Sequence, residues 1–296
     1  MAGSTTHRGV LVGVDGSPAS QNAVAWAARE AELRNVPLTL IHVLMPATAM
    51  TWPEVPLPSG FVQWQEAEGR NIIRDATAIA QDATRTAAEP IQIDSEIVVG
   101  SPVASLADLS KEAQIVVVGS HGRGRLQRLL GSVSSGLAQH GLCPIAVIHD
   151  DNQPLSDTAT APVVVGIDGS PFSESATAIA FDEASRRGVE LIAVHACSDW
   201  TGGQYLDIDV PTVEQRGQEV LAERLAGWQE QYPDVAVHRV VVADQAADHL
   251  VEESKRAQLI VLGSHGRGGF AGMLLGSVSS AVVQSARVPV IVARAT

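Results

Sequence analysis

The chain repeats itself, and the repeat limits its architecture before any single motif is weighed. Gly13-Val14-Asp15-Gly16-Ser17-Pro18 returns 153 positions later as Gly166-Ile167-Asp168-Gly169-Ser170-Pro171. Gly119-Ser120-His121-Gly122-Arg123-Gly124 returns 144 positions later as Gly263-Ser264-His265-Gly266-Arg267-Gly268, so the second copy is nine residues shorter in its middle. Leu130-Gly131-Ser132-Val133-Ser134-Ser135 returns at an offset of 145 as Leu275-Gly276-Ser277-Val278-Ser279-Ser280, which leaves the first copy one residue shorter between its Gly-rich pieces. Self-similarity on this scale means two copies of one folding unit, and 296 residues give each copy enough chain, about 150 residues, to bury its own core. The polar stretch from Asp150 to Pro162, with two prolines, reads as the linker. The expected units are 1–154 and 155–296.

Within each copy, β-branched runs alternate with helical patterns, the signature of βαβ units on a parallel sheet. First strands fall at Val10 to Val14 and Val163 to Ile167. Ser17 and Ser170 then cap helices whose first position is Pro, where a missing N–H costs nothing, and these helices run to about Arg34 and Arg187. Second strands (Leu38 to Val43, Leu191 to Ala196) lead to long helices, roughly Val62 to Ala87 and Thr212 to Gln231. Third strands (Ser95 to Val99, His238 to Val242), third helices and fourth strands (Ile115 to Val118, Leu259 to Leu262) follow. The Gly-rich segments come directly after those fourth strands. A last helix from Ser132 or Ser277 and a final strand (Ile145 to His149, Val290 to Ala293) complete five strands and four helices per copy. Trp26, Trp64 and Trp228 lie at helical spacing among apolar neighbours and are expected in the core, while Trp52 and Trp200 follow second strands in irregular segments.

Composition removes several classes. A formal charge of −13 opposes the polyanionic backbone of DNA or RNA, and no apolar run approaches the roughly 20 residues that cross a bilayer. The short polar start, Met1 to Arg8, has no apolar central stretch of a secretory signal, so the cytoplasm is the expected compartment. Cys143 and Cys197, the two cysteines, are expected to be buried reduced thiols rather than a disulfide framework or a metal site.

The chemistry gathers in the Gly-rich segments. Each joins the end of a buried strand to a helix start, where unpaired backbone N–H groups and a partial positive charge favour an anion, and glycines let it approach the main chain. Asp15 and Asp168 follow strand one, where a carboxylate accepts hydrogen bonds from a ribose or supports a metal. In open parallel sheets ligands sit beyond the carboxyl ends of strands at the point where strand order reverses. Both motifs meet there if strands one and four flank that point.

These residues resemble the universal stress protein family, and its ATP-binding branch in particular, whose signature is Gly, two residues, Gly, nine residues, then Gly followed by Ser or Thr. Gly263, Gly266 and Gly276-Ser277 fit it throughout; Gly119, Gly122 and Gly131-Ser132 keep the order with eight residues between the last two glycines. The resemblance spans nearly the whole chain. It implies two tandem Rossmann-like domains of the adenine nucleotide alpha hydrolase-like type, each a five-stranded parallel sheet in the order 3-2-1-4-5 with helices on both faces. It implies ATP as the ligand, with Mg2+ as its companion, one nucleotide per domain. The contacts it implies are Gly13, Asp15, Val43, Gly119, Ser120, Gly122, Arg123, Gly131, Ser132 and Val133 in the first copy. In the second they are Gly166, Asp168, Ala196, Gly263, Ser264, Gly266, Arg267, Gly276, Ser277 and Val278. The Asp carboxylates lie by the ribose, the glycines and Ser132 or Ser277 cradle phosphates, and Val43 and Ala196 offer backbone groups to adenine. In the same family the final strands pair antiparallel, which implies pairing of the halves within a chain and a homodimer through sheet edges.

Three functions remain distinct at this point. The first is a nucleotide-dependent regulator in stress response or growth control, with a regulatory protein partner. The others are a slow ATPase or phosphotransferase and an interaction module without nucleotide. No Lys follows the glycines as in Gly-x-x-x-x-Gly-Lys-Ser/Thr, and no triad surrounds His121 or His265, so efficient turnover is not expected. A bulky residue at Gly263 is expected to block the second site and spare the fold. The shorter first loop is expected to leave the second site the tighter one.

Overall fold

A computed structural model describes residues 7–46, 59–122, 130–149, 159–197, 210–267 and 275–294. The chain divides into two compact units, 1–150 and 151–296.

The first unit runs β1 (Val10–Gly13), α1 (Pro18–Arg34), β2 (Leu38–Leu44), α2 (Phe61–Ala83), β3 (Ile93–Val99), α3 (Pro102–Leu109), β4 (Ile115–Gly119), α4 (Ser132–His140) and β5 (Ile145–Ile148). Its strands pair in the order β3-β2-β1-β4-β5, all parallel. The second unit runs β6 (Val163–Gly166), α5 (Pro171–Arg187), β7 (Leu191–Ala196), α6 (Val210–Gln231), β8 (Val237–Val242), α7 (Ala246–Ser254), β9 (Leu259–Gly263), α8 (Ser277–Ser285) and β10 (Val290–Ala293). It repeats the order as β8-β7-β6-β9-β10, again all parallel. In each unit the order reverses between the first and fourth strands. The notable difference in element bounds is α2, which stops at Ala83, short of the expected Ala87.

Strands buried on both faces need continuous apolar runs rather than alternation, and Val10, Leu11, Val12, Ile145, Ala146 and Val147 are all fully buried. In the first unit α1 packs on β1, β4 and β5 and α2 on β2 and β3, while α3 and α4 pair with each other on the opposite face. The α1 stripe that meets the sheet is mostly small, with Ala23, Ala27, Ala28 and Ala31 inaccessible to solvent, which brings helix and strands close.

That closeness fixes two glycines. A Cβ on Gly119 would stand 2.8 Å from Ala19 Cβ and 3.0 Å from the Ser20 amide, in the first turn of α1. One on Gly263 would stand 2.8 Å from the Phe172 carbonyl carbon, in the first turn of α5. These glycines let the fourth strand touch the first helix. The expectation that a bulky residue at Gly263 spares the fold is therefore corrected, because the added atoms meet protein backbone.

The cysteines divide. Cys143 is buried, and burial pushes its thiol up to about 12 despite backbone hydrogen bonds that favour the thiolate. Cys197 is half-buried, against the expectation of two buried thiols. Trp26 is buried as expected, but Trp64 is 61% exposed and Trp228 half-buried. Trp64 therefore belongs to a rim and not to the core. Trp52 and Trp200 lie outside the described residues.

Candidate functional site

After β1 the chain turns sharply at Asp15-Gly16-Ser17, and after β6 at Asp168-Gly169-Ser170. The turns require glycine, since Gly16 has φ +77 and Gly169 φ +83, a region costly for residues with a Cβ. Each turn hands its serine to the following helix: the Ser17 hydroxyl accepts from the Ser20 amide and the Ser170 hydroxyl from the Ser173 amide, both at 3.2 Å. The carboxylates are held by the same turns, Asp15 Oδ1 accepting from the Ser17 amide and Asp168 Oδ1 from the Ser170 amide, both at 2.9 Å.

On the neighbouring strand, the Gly-rich segment leaves β4 and returns to start α4. The Gly131 amide donates to the Ser120 carbonyl at 2.7 Å, and the Ser134 hydroxyl donates to that same carbonyl at 2.9 Å. In the second unit the Gly276 amide donates to the Ser264 carbonyl at 2.8 Å, and the Ser279 hydroxyl to the Gly263 carbonyl at 2.6 Å. The one-residue difference between the loops thus leaves both closures intact and falls between Gly122 and Leu130 in the first unit and between Gly266 and Leu275 in the second, where 123–129 and 268–274 lie outside the described residues. Both helices begin on a glycine N-cap with no side-chain cap, Gly131 for α4 and Gly276 for α8. This differs from the serine-capped α1 and α5. The first-turn donors, left without a cap, line the crevice.

In the first unit that crevice is a cavity of about 470 Å³ and in the second about 350 Å³. Gly13, Asp15, Val43, Gly119, Gly122, Gly131, Ser132 and Val133 all line the first. Gly166, Asp168, Ala196, Gly263, Gly266, Gly276, Ser277 and Val278 all line the second. Ser120 and Ser264 do not; they are buried behind the wall, where they fasten the loop through their carbonyls. Arg267 is also absent from the wall, and its tie to the site is through its backbone, whose amide donates to Asp168 Oδ2 at 3.0 Å. Arg123 lies outside the described residues.

Gly122 and Gly266 have a reason beyond backbone freedom. A Cβ on either would stand 2.6 Å from an oxygen of Asp15 or Asp168. The second glycine of each signature therefore makes room for the carboxylate of the other motif. Burial taken alone pushes the Asp168 carboxyl up, but hydrogen bonds from Ser170, Ser173 and the Arg267 amide outweigh it and hold the group below the usual carboxylate range. Asp168 is thus a fixed anion with both oxygens engaged. The histidines at the strand-two ends anchor the first turn: His42 Nδ1 lies 2.7 Å from the Val14 carbonyl and His195 Nδ1 2.6 Å from that of Ile167. His121 and His265 sit 3.0 and 3.3 Å from the adjacent serine hydroxyls, which suits support of the loop.

Some wall residues escaped the sequence reading. Pro102 and Leu106 of α3 face the first crevice, and Ala246 and Leu250 of α7 the second. They are 144 positions apart, the offset already set by the Gly-rich segments, so the repeat carried the signal. Trp64, Gln65, Glu68 and Ile72 of α2 also line the first crevice.

Fold and site together define a class: a doubly wound parallel α/β unit with an open crevice at its switch point, present twice in one chain. A model described as the Universal stress protein family matches residues 6–149 and 160–294. Universal stress protein Rv2623 of Mycobacterium tuberculosis is 54% identical over 295 residues, covering 99% of each chain. Universal stress protein Rv2005c of the same organism is 56% identical over 289 residues, covering 97% of each. The solved structure of a universal stress protein from Archaeoglobus fulgidus superposes with a TM-score of 0.73 over 98% of this chain and 99% of that one, at 18% identity; the likeness is one of fold. The chain belongs to the universal stress protein family. Among the described residues no helix is long and apolar enough to cross a membrane.

Proposed function

We propose that each unit holds one adenine nucleotide, ATP, and that the protein acts in the cytoplasm as a nucleotide-dependent regulator in stress response or growth control. The observation that carries this reading is the meeting, twice in one chain, of an uncapped helix start, a fixed Asp carboxylate and an apolar wall at a switch point. A helix start left without a side-chain cap suits phosphate. The carboxylate suits ribose hydroxyls, and walls such as Ile41, Leu106 and Val118 suit a base. Both volumes fall in the range of small-molecule sites, roughly 300–1,000 Å³. ATP, when bound, supplies a planar base at one end and a polyanion at the other. Residues Gly131 to Val133 and Gly276 to Val278 would hold the phosphates, Asp15 and Asp168 the ribose, and the strand ends at Val43 and Ala196 the base. Among the described residues no three His, Cys, Asp or Glu gather as a metal site, so a magnesium ion would arrive with the phosphates and find an Asp carboxylate nearby.

The reading is one of holding rather than turnover, and a partner protein or a second copy of the chain, paired through sheet edges, would read the occupied state. Calorimetric titration with ATP, together with a phosphate-release assay, tests it. Binding at two sites per chain with release far below 1 per second, the low end of ordinary enzymes, is the expected result. Absence of binding, or steady turnover at or above that rate, contradicts it.

A further inference from the structure

In the first unit β4 and the uncapped start of α4 lie on one side of β1, and β2 lies on the other. A nucleotide whose phosphates meet Gly131 to Val133 therefore carries its base toward the end of β2. The crevice wall there carries Leu44, Met45, Trp64 and Ile72 beside the polar Gln65 and Glu68. Trp64 belongs to the first turn of α2, and that turn is fastened to the strand end by the Gln65 side-chain amide, which donates to the Met45 carbonyl at 3.0 Å. The Phe61 ring stands 5.8 Å from the indole, tilted by 38°, and restricts its rotation. Trp64 is nonetheless 61% exposed and Met45 41%.

An indole set against the Phe61 ring, on a helix turn tied to the strand end, exposed to water and lining a cavity is a surface prepared for a flat partner. Offset stacking on such a ring adds to plain area burial, and stacking of a nucleobase tolerates any base while favouring the larger π-face. We infer that Trp64 is the base-stacking residue of the first site and gives that site a preference for purines over pyrimidines. The inference rests on the nucleotide reading above and adds to it a residue at the end opposite the Gly signature. Trp64 packs at a rim, so its removal leaves the core untouched.

The test is calorimetric titration of the wild type, Trp64→Ala and Trp64→Phe with ATP and with CTP, which share ribose and phosphates and differ in the base. Thermal melting of each variant accompanies the titrations. Trp64→Ala is expected to weaken ATP at one of two sites by about 5- to 150-fold, the span of one lost base–aromatic stack. CTP should weaken less, so the preference for ATP narrows, and Trp64→Phe should recover most of the loss. Melting of both variants should match the wild type. Unchanged ATP binding by Trp64→Ala overturns the inference and leaves the nucleotide reading standing. Equal losses for ATP and CTP, or a lowered melting temperature, also overturn it, since either marks a structural role. Failure of the wild type to bind either nucleotide overturns both readings.

Discussion

The two crevices share their frame and differ at their ends. Asp, glycine, strand and helix start recur with nearly the same geometry: both carboxylates accept from a serine amide at 2.9 Å, and both fourth-strand glycines touch the first helix. Among the described residues one outer wall does not recur. The first crevice, about 470 Å³, is walled at its far end by α2 through Trp64, Glu68 and Ile72, whereas no described residue of α6 lines the second, about 350 Å³; Pro102 and Leu106 of the first answer to Ala246 and Leu250 of the second. The duplicated unit has thus kept the Asp, the glycines and the helix start and varied the wall that α2 builds. The shared parts are steric necessities, in which one missing Cβ makes room for a helix and another for a carboxylate, whereas the wall from α2 mixes apolar and polar side chains.

Predictions that could break this comparison begin with the glycines against the first helices. Gly119→Val and Gly263→Val each drive side-chain atoms into the backbone of α1 or α5, and overpacking of this kind costs roughly 1–3 kcal/mol or more. Each variant is expected to melt well below the wild type and to lose binding as a consequence. If Gly263→Val melts like the wild type and loses only binding, the glycine serves the ligand and not the packing.

A smaller effect concerns the charge of Asp168. The folded carboxyl of Asp168 is lower than its unfolded value, so its contribution to stability is present above the unfolded pKa, about 4, and is lost as pH falls through the folded one. Asp168→Asn should therefore destabilise the protein at pH 7, and the gap to the wild type should shrink on acidification below about pH 4. Denaturant midpoints at several pH values read this out. A gap that stays constant would mean the carboxylate's charge contributes nothing.

The smallest effect concerns the ends of the first helices. Asn35 closes α1 in the left-handed region at φ +50, while its counterpart Gly188 closes α5 at φ +64. Glycine adopts that conformation without strain, so Asn35→Gly should stabilise by up to about 1 kcal/mol, within the range of such backbone effects. A lowered melting temperature would show that the asparagine side chain does more than tolerate the turn.

Most of the fold was legible because the repeat doubled every signal. Ser17-Pro18 and Ser170-Pro171 announced helix starts, and each helix begins there and ends at Arg34 or Arg187. Apolar runs such as Val163–Gly166 announced strands buried on both faces. The site was legible where chemistry forces a residue type, as at the Asp-Gly turns and the glycine N-caps. It was illegible where a residue's role depends on what stands across from it. Gly263 reads as space for a phosphate until Phe172 is found against it. Trp64 reads as core because helical spacing cannot say whether α2 extends past the strand it covers. Ser120 and Ser264 sit inside the signature yet face away from the crevice, since the carbonyl of each is spent on closing the loop.

The central claim is that one chain carries two nucleotide sites, each requiring its own Asp and second signature glycine. It is tested most directly by native mass spectrometry of the wild type, Gly122→Ala and Gly266→Ala in the presence of ATP. The added methyl would stand 2.6 Å from the carboxylate oxygen of Asp15 or Asp168 and displace it, with little consequence for the core. Two ATP per wild-type chain and one per chain in each variant is the predicted result. No nucleotide on the wild type, or two on both variants, would contradict it.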